Sequence, residues 1–253
     1  MVLAALFPAL LLCPQAPTTP ALPTSSAYPD GEALIRAMEA RYRGKWYRTL
    51  TFVQTTTMTQ PTARKEIWYE ALRFPGMLRI DIAPVDSGNS MLFRGDSLYR
   101  FQRGTLTGSR PLVHPLMVLG FDVYFDPPET TISKLVGLGF DLSTIREDTW
   151  QGRPAHVVGA AAGDSATAQF WIDRERLVFV RMLQAAPDGS GRILETQFNR
   201  YQPLGEAWIS VEVLFNVNGQ LATKEEYAEV RADPTLPDVL FDPGSFARAE
   251  WMR

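Results

Sequence analysis

The chain has 253 residues, with 25 Lys and Arg against 28 Asp and Glu, a formal net charge of −3 and 45% hydrophobic residues. This composition is typical of a folded globular protein and excludes a disordered or fibrous chain. The slightly acidic balance also argues against a nucleic-acid-binding protein, because such proteins carry a basic surface.

The N-terminal segment differs from the rest of the chain because no charged residue precedes Asp30. Residues 2–12 form an apolar run of the length found in signal peptides, too short for the roughly 20 residues of a membrane-spanning helix. A stretch with regularly spaced prolines follows. We predict a signal peptide at residues 1–16, a Pro-rich tether at residues 17–29 and export to the periplasm.

Cys13 is the only cysteine of the chain and lies where the apolar run ends. It stands where the lipid-modified cysteine of a bacterial lipoprotein would, in which case the protein is an outer-membrane lipoprotein. Leu12 directly precedes it, whereas the lipoprotein signal peptidase requires Gly, Ala or Ser there. We therefore favour its removal with the signal peptide. In either case the folded part lacks cysteine, which excludes disulfides, catalytic thiols and zinc thiolate sites.

The folded part opens with one predicted amphipathic helix. Asp30 is a typical N-cap residue for the following segment GEALIRAMEARYR, and Gly44 ends it. The apolar side chains of this segment recur on one stripe, as expected for a helix that covers a core. They are Leu34, Ile35, Met38 and Tyr42.

From Trp46 onward the hydrophobic period changes to two, which is typical of β-strands. About eleven segments fit, and short turns separate many of them. The predicted turns are Gly95-Asp96, Gln151-Gly152, Asp173-Arg174, Asp188-Gly189 and Asn218-Gly219. Short turns join antiparallel neighbours, so the pattern predicts an antiparallel meander. A sheet of this size curls towards a barrel or splits into a sandwich.

Residues 111–140 interrupt the strands. Pro115 can open a short helix that carries Leu116 and Leu119, and Glu129–Leu138 reads as a second helix. Because these helices have no strand partners, we expect them to lie as a lid across one face or mouth of the sheet. No internal repeat is visible, so residues 30–253 are predicted to form a single domain.

Residues 95–98 spell GDSL, the nucleophile block of a lipase and esterase family. In that family the serine follows the first strand of an α/β domain, and its histidine belongs to an Asp-x-x-His block. Here strand-like segments flank the motif, and neither His114 nor His156 stands in such a block. A serine without a base is not activated, so a hairpin turn explains the motif better than catalysis by Ser97.

Other motifs are equally weak. Residues 86–88 match the aspartic-protease triplet, but that chemistry needs two carboxylates and the chain has no second copy. Gly137 and Gly139 lack the third glycine of a dinucleotide fingerprint. The two histidines are far apart and have no ligand at metal-binding spacing, so we expect neither a metal nor a cofactor.

The apolar loading of the strands is unusually high. Residues 177–183, for example, are apolar on both faces, which a sheet with one wet face would not need. The concave side of a curled sheet can line a pocket for an apolar ligand. The candidate lipid-binding residues are Phe52, Leu78, Ile80, Ile82, Phe93, Tyr99, Phe101, Leu116, Met117, Leu119, Phe179, Val213 and Phe215.

The order of these elements resembles the outer-membrane lipoprotein-sorting family, which comprises LolA-like periplasmic carriers and LolB-like receptors. The opening helix leads into RYRGKWYRTLTFVQT and then into EIWYEALRFPGMLRIDI, where Arg73, Phe74, Pro75, Gly76 and Arg79 match an Arg-x-Pro-Gly-x-x-Arg-type segment. The remaining similar segments are FRGDSLYRF, WQGRPAHVV, QFWIDRERLVFVRM and LPDVLFDPGSF. The resemblance spans residues 30–246, and its specificity lies in order and spacing.

This resemblance implies a mainly β fold, an incomplete antiparallel barrel with an N-terminal helix and short lid helices. It further implies a non-catalytic carrier that holds lipid or lipoprotein acyl chains, with an inner-membrane exporter and an outer-membrane receptor as partners. We expect a monomer. Two other hypotheses remain, a non-transport binding or envelope-stress sensory module on the same scaffold and an esterase that uses Ser97.

Overall fold

The computed structural model describes residues 26–60 and 62–246 of the chain. The predicted signal peptide, Cys13 and most of the predicted tether lie outside the described residues. The helices of the described part are α1 (Gly31–Tyr42), α2 (Pro115–Gly120) and α3 (Pro128–Gly137). None of these helices is long and apolar enough to cross a membrane.

The strands are short to medium in length and account for most of the residues in helices and strands. They are β1 (Thr49–Met58), β2 (Arg64–Arg73), β3 (Met77–Ile82), β4 (Ser90–Arg94), β5 (Ser97–Gln102), β6 (Thr105–Pro111), β7 (Ile145–Trp150), β8 (Arg153–Val158), β9 (Gln169–Asp173), β10 (Phe179–Ala185), β11 (Ile193–Leu204), β12 (Ala207–Val217) and β13 (Gln220–Ala232).

All of these strands form one antiparallel sheet in the order β6-β5-β4-β3-β2-β1-β13-β12-β11-β10-β9-β8-β7. Neighbours in the sheet are neighbours in the chain except at its centre, where β1 pairs with β13. The sheet is curled and open, with β6 and β7 as its edges. The prediction of a mainly β, incomplete antiparallel barrel is confirmed.

The sheet has thirteen strands rather than the predicted eleven. The two additional strands, β6 and β7, are the two edges. β6 is exposed along its whole length and contains Gly108 and Pro111, and β7 carries Arg146, Glu147 and Asp148. Charged residues, Gly and Pro are common in edge strands because they discourage pairing with other chains. The same residues weaken the sequence signal of a strand.

Helix α1 forms as predicted. The Asp30 side chain accepts a hydrogen bond from the Ala33 backbone N–H at 2.8 Å, which satisfies one of the free donors of the first turn. The predicted apolar stripe is fully buried against the concave face of the sheet. Gly31 is required by packing, because a Cβ atom there would lie 2.6 Å from Cγ1 of Val158.

Three of the predicted turns have two residues, both with positive φ, which matches the right-handed twist of the strands. These are Gly95-Asp96, Gln151-Gly152 and Asn218-Gly219. Asp188-Gly189 also joins antiparallel strands, but the loop spans residues 186–192 instead of two residues. The Asp188 side chain accepts from the Ser190 N–H and from the Arg192 guanidinium, which stabilises a wider loop.

The loop after Asp173 is longer than predicted in the same way and spans residues 174–178. The Asp173 carboxylate accepts from the backbone N–H groups of Glu175 and Arg176 at 3.0 and 2.8 Å. Both loops are longer than the predicted two-residue turns for the same reason. A side-chain acceptor lets the backbone turn over more residues than a two-residue turn needs.

The helical segment between β6 and β7 connects the two edges of the sheet and therefore crosses the concave side. Proline occupies the first turn of both α2 and α3, close to the predicted starts. The part between the helices is tightly anchored. Phe74 stacks on Phe121 and Phe125 with ring centroids 5.1 and 5.5 Å apart, and the Gly76 N–H donates to the buried Asp122 at 2.9 Å.

The outer face of β3–β5 is covered by the C-terminal segment, residues 236–246, which contains a 3-10 turn at Asp238–Phe241. Arginines hold this segment through its backbone carbonyls. Arg73 donates to Leu236 O, Arg79 to Leu240 O and Arg94 to Phe241 O, at 2.5, 3.3 and 2.6 Å. The arginines come from the segments that carry the family resemblance.

Candidate functional site

A cavity of about 220 Å³ lies between the concave face of the sheet and helix α2. Most of its walls are aliphatic and aromatic, and the polar groups come from a few residues of β1, β2, β13 and the start of α2. The lining residues are Phe52, Gln54, Trp68, Glu70, Leu72, Leu78, Ile80, Met91, Phe93, His114, Leu116, Met117, Phe121, Phe198, Val213, Phe215, Glu225 and Tyr227.

The volume is below the roughly 300–1,000 Å³ of usual small-molecule sites. It suits one hydrocarbon chain, and a larger lipid would need the cavity to widen. A larger cleft of about 630 Å³ lies near Asp81, residues 85–88 and Phe246. That cleft suits an apolar ligand less well, because charged and polar residues such as Asp86, Ser87 and Arg103 line it.

Eight of the thirteen predicted lipid-binding residues lie on the cavity wall. Alternate residues of a strand point to the same face, so Leu78 and Ile80 of β3 point inward together, as do Val213 and Phe215 of β12. The other four are Phe52, Phe93, Leu116 and Met117. Lipid binding by these residues stays a prediction.

The structure places the other five elsewhere. Tyr99 and Phe101 lie on the outer face of the sheet, against the C-terminal segment. Leu119 and Phe179 are fully buried in the closed core, and Ile82 is half-buried against that core away from the cavity wall. Tyr99 and Phe101 were assigned to the cavity because apolar residues occur on both faces of β5. One face packs against the main core and the other against the C-terminal segment, so alternation alone does not identify the inner face.

Two carboxyl groups at the cavity, the buried Glu70 and the half-buried Glu225, were not predicted from the sequence. Glu70 of β2 is only 5% exposed. Its carboxyl group has no hydrogen-bond or ion-pair partner among the described residues, and burial together with the nearby Glu225 raises its pKa well above the ordinary value. Burial also raises the pKa of Glu225 to about 7. A glutamate in an alternating strand is normally assigned to the solvent-facing side. Glu70, however, lies on the same face of β2 as Trp68 and Leu72, which was the available sequence signal.

His114 contributes a third polar group to the cavity. Its Nδ1 atom is buried without a hydrogen-bond partner in the described part of the chain, and its ring packs edge-on against Phe93 with centroids 5.0 Å apart. Burial lowers the pKa of His114 to about 4. The imidazole is therefore neutral at neutral pH and adds no positive charge near the two carboxyl groups.

The raised pKa values of these carboxyl groups make the stability of the protein depend on pH. The pKa of Glu225 is about 7 in the folded protein and 4.5 ordinarily. Protonation of Glu225 therefore favours the folded state. This contribution to stability is fully present below pH 4.5 and is lost as the pH rises through 7. The variant Glu225→Gln keeps the shape and removes this titration. From pH 5 to pH 8 its unfolding free energy should improve relative to wild type by about 1–3 kcal/mol.

Urea unfolding followed by circular dichroism at both pH values measures this difference. Glu206→Gln, which removes a carboxylate in the exposed turn between β11 and β12, is the control and should track the wild type. If Glu225→Gln also tracked the wild type, the carboxyl group would be solvated rather than buried. The comparison is made between variants because Asp122, whose pKa burial also raises to about 7, titrates in every protein.

The motifs that suggested catalysis have structural roles. Gly95-Asp96 is the two-residue turn between β4 and β5, and the Ser97 hydroxyl donates to the Gly95 carbonyl at 3.4 Å. Ser97 and His114 line the same very small cavity of about 10 Å³, but His114 Nδ1 makes no hydrogen bond to the serine. Residues 85–87 form a 3-10 turn that contains the first two residues of the triplet at residues 86–88.

Within residues 26–60 and 62–246, no three His, Cys, Asp or Glu side chains form a group that could hold a metal ion.

No family model and no curated protein matches the sequence. Solved structures do match its fold. A DUF1329 family protein from Desulfovibrio piger matches with a TM-score of 0.57 and 11% identity, over 86% of this chain and 98% of its own. A domain assigned to outer membrane lipoprotein sorting, from Vibrio parahaemolyticus, matches with a TM-score of 0.55 and 11% identity over 85% and 97%.

A LolA superfamily protein from Nitrosomonas europaea matches with a TM-score of 0.53 and 10% identity, over 84% of this chain and 97% of its own. At such low identity the likeness establishes the fold and leaves the ligand open. These matches cover nearly the full length of the neighbours and more than four fifths of this chain. The chain therefore has a LolA-like fold, as the order of its sequence motifs indicated.

Proposed function

We propose that this protein is an exported, periplasmic binding protein that holds lipid or lipoprotein acyl chains in the cavity beneath α2 and carries out no catalysis. The observation that carries this proposal is the apolar cavity on the concave side of a LolA-like sheet. Burial of hydrocarbon against apolar walls is favourable by about 25 cal/mol for each Å² removed from water, so the cavity favours a hydrocarbon chain over a polar ligand.

The covering helix supports the same function. Leu116 of α2 lines the cavity while remaining half-buried, whereas the residues that follow it in α2 are buried. A ligand can therefore enter beside Leu116 without disrupting the anchored part of the helical segment around Phe121. In a transport pathway the partners would be an inner-membrane exporter and an outer-membrane receptor, with this protein acting as a monomeric chaperone of the chain.

Native mass spectrometry of protein purified from the periplasmic fraction tests the proposal. We expect a bound species with the mass of a lipid or acylated peptide, which disappears after delipidation and returns when lipid is added back. A protein that carries no lipid, and takes up none after delipidation, contradicts the proposal and favours the non-transport binding or sensory module on this scaffold.

A further inference from the structure

The polar groups of the cavity are concentrated on three adjacent strands. Glu70 lies on β2, Gln54 on β1 and Glu225 on β13, with Tyr227 also on β13. The rest of the wall is almost entirely apolar. No Lys or Arg belongs to the lining in the described part of the chain. A ligand in this cavity consequently meets two carboxyl groups and no cationic side chain.

Sheet pairing brings the two carboxyl groups to opposite sides of one central strand. Phe52 of β1 pairs with Glu70, and Thr56 of β1 pairs with Glu225. Gln54 lies between these positions and is 1% exposed, and its amide donates to the Thr56 hydroxyl at 2.8 Å. The pair therefore forms a defined polar floor on β1, β2 and β13.

The two carboxyl groups differ in how they are satisfied. The Tyr227 hydroxyl donates to Glu225 Oε2 at 3.3 Å. Glu70 has no hydrogen-bond or ion-pair partner among the described residues, although it is 95% buried and borders the cavity. A buried polar group without a partner destabilises a protein, so an apolar side chain would serve a purely structural wall better. A ligand in the cavity can supply the missing partner.

The chemistry of that partner follows from the acceptors. The raised pKa values favour the protonated form of both carboxyl groups in the empty cavity, whereas a bound cation favours ionisation, and the ionised groups accept hydrogen bonds and repel a carboxylate or phosphate head group. A primary ammonium has three donors and a positive charge, so it forms charge-assisted hydrogen bonds with an ionised carboxylate and is attracted by a second one nearby. The apolar walls and the small volume of the cavity suit a ligand that also has one hydrocarbon chain.

We infer that the cavity takes a single-chain amphiphile whose polar end is a primary ammonium group, bound at Glu70 on the polar floor that Glu70 shares with Glu225. This inference rests on the proposed function, because it assumes that the cavity holds a hydrocarbon chain. Binding of the cation should also release protons from the carboxyl pair. His114 and Tyr227, the other titratable groups on the wall, are both neutral at pH 7.5 because burial lowers the pKa of the histidine and raises that of the tyrosine.

Isothermal titration calorimetry of the delipidated full chain at pH 7.5 tests the inference, with octylammonium, octanol and octanoate as matched probes. We expect octylammonium to bind at least tenfold more tightly than octanol, and octanoate to bind most weakly. Repeating the octylammonium titration in buffers with different ionisation enthalpies should reveal proton release. Glu70→Gln and Glu225→Gln should each reduce the preference for the amine over the alcohol at least fivefold.

The same experiment separates two kinds of failure. Equal affinity for the three probes, or a preference for octanoate, would overturn the inference while leaving a chain-binding cavity intact. Absence of binding by every probe, octanol included, would overturn the proposed function together with the inference. Glu206→Gln is the control and should keep the wild-type preference, because it removes a carboxylate in an exposed turn. Octanol binding by the two glutamine variants verifies that they are folded.

Discussion

Replacing Arg79 with alanine is expected to lower the free energy of unfolding by about 3–5 kcal/mol, because the change leaves the charge of Asp81 buried without its partner. The two side chains are 4% and 2% exposed. The guanidinium donates to both carboxylate oxygens at 2.8 and 2.9 Å. Ser90 also donates to Asp81, and Arg79 lies over the Phe246 ring, 5.1 Å from its centroid.

The chain offers a matched control. Arg64 and Glu66 form an ion pair at 2.9 Å with the same two-residue spacing, but on the exposed start of β2. Exposed pairs contribute about 0–1 kcal/mol, so Arg64→Ala should have a small effect. The double variant Arg79→Met, Asp81→Leu should lose less than Arg79→Ala, because it removes both buried charges.

Urea denaturation followed by circular dichroism measures all three variants. We also expect residues 236–246 of Arg79→Ala to exchange their amide hydrogens faster, since Arg79 donates to the Leu240 carbonyl. Equal losses in Arg79→Ala and Arg64→Ala would contradict the view that the buried pair fastens the C-terminal segment.

Leu116→Glu should weaken binding of an uncharged fluorescent acyl ester at least tenfold while changing the melting temperature of the lipid-free protein by only a few degrees. Leu116 lines the cavity and is half-buried, so a carboxylate there can turn towards water in the empty protein. With a chain bound, the same carboxylate would have to be desolvated against hydrocarbon, which is costly.

Leu119→Glu is the control on the same helix. Leu119 is 0% exposed in the closed core, so a charge there has no route to water and should cost several kcal/mol or prevent folding. Fluorescence titration and thermal melting distinguish the outcomes. If Leu116→Glu failed to fold, α2 would be core throughout, and unchanged ester binding would mean that Leu116 does not face the ligand.

Local signals in the sequence were sufficient for much of the fold. The Asp30 cap and the stripe of Leu34, Ile35 and Met38 defined α1, because capping and a 3.6-residue period are properties of the segment itself. Period-two alternation with turns such as Asn218-Gly219 likewise defined the central strands and their antiparallel pairing. The order of these elements also indicated the LolA-like fold that the solved structures support.

Only the tertiary structure decided which face of each strand is inside. Alternation separates two faces, but β5 is covered on both, so Tyr99 and Phe101 face the C-terminal segment instead of the cavity. The same ambiguity concealed the positions of Glu70 and Glu225, which line one cavity because β1 pairs with both β2 and β13. That pairing joins segments far apart in the chain. The pairing of β1 with β13 is stabilised by the core that the whole sheet encloses. A local sequence pattern carries no information on such a long-range contact.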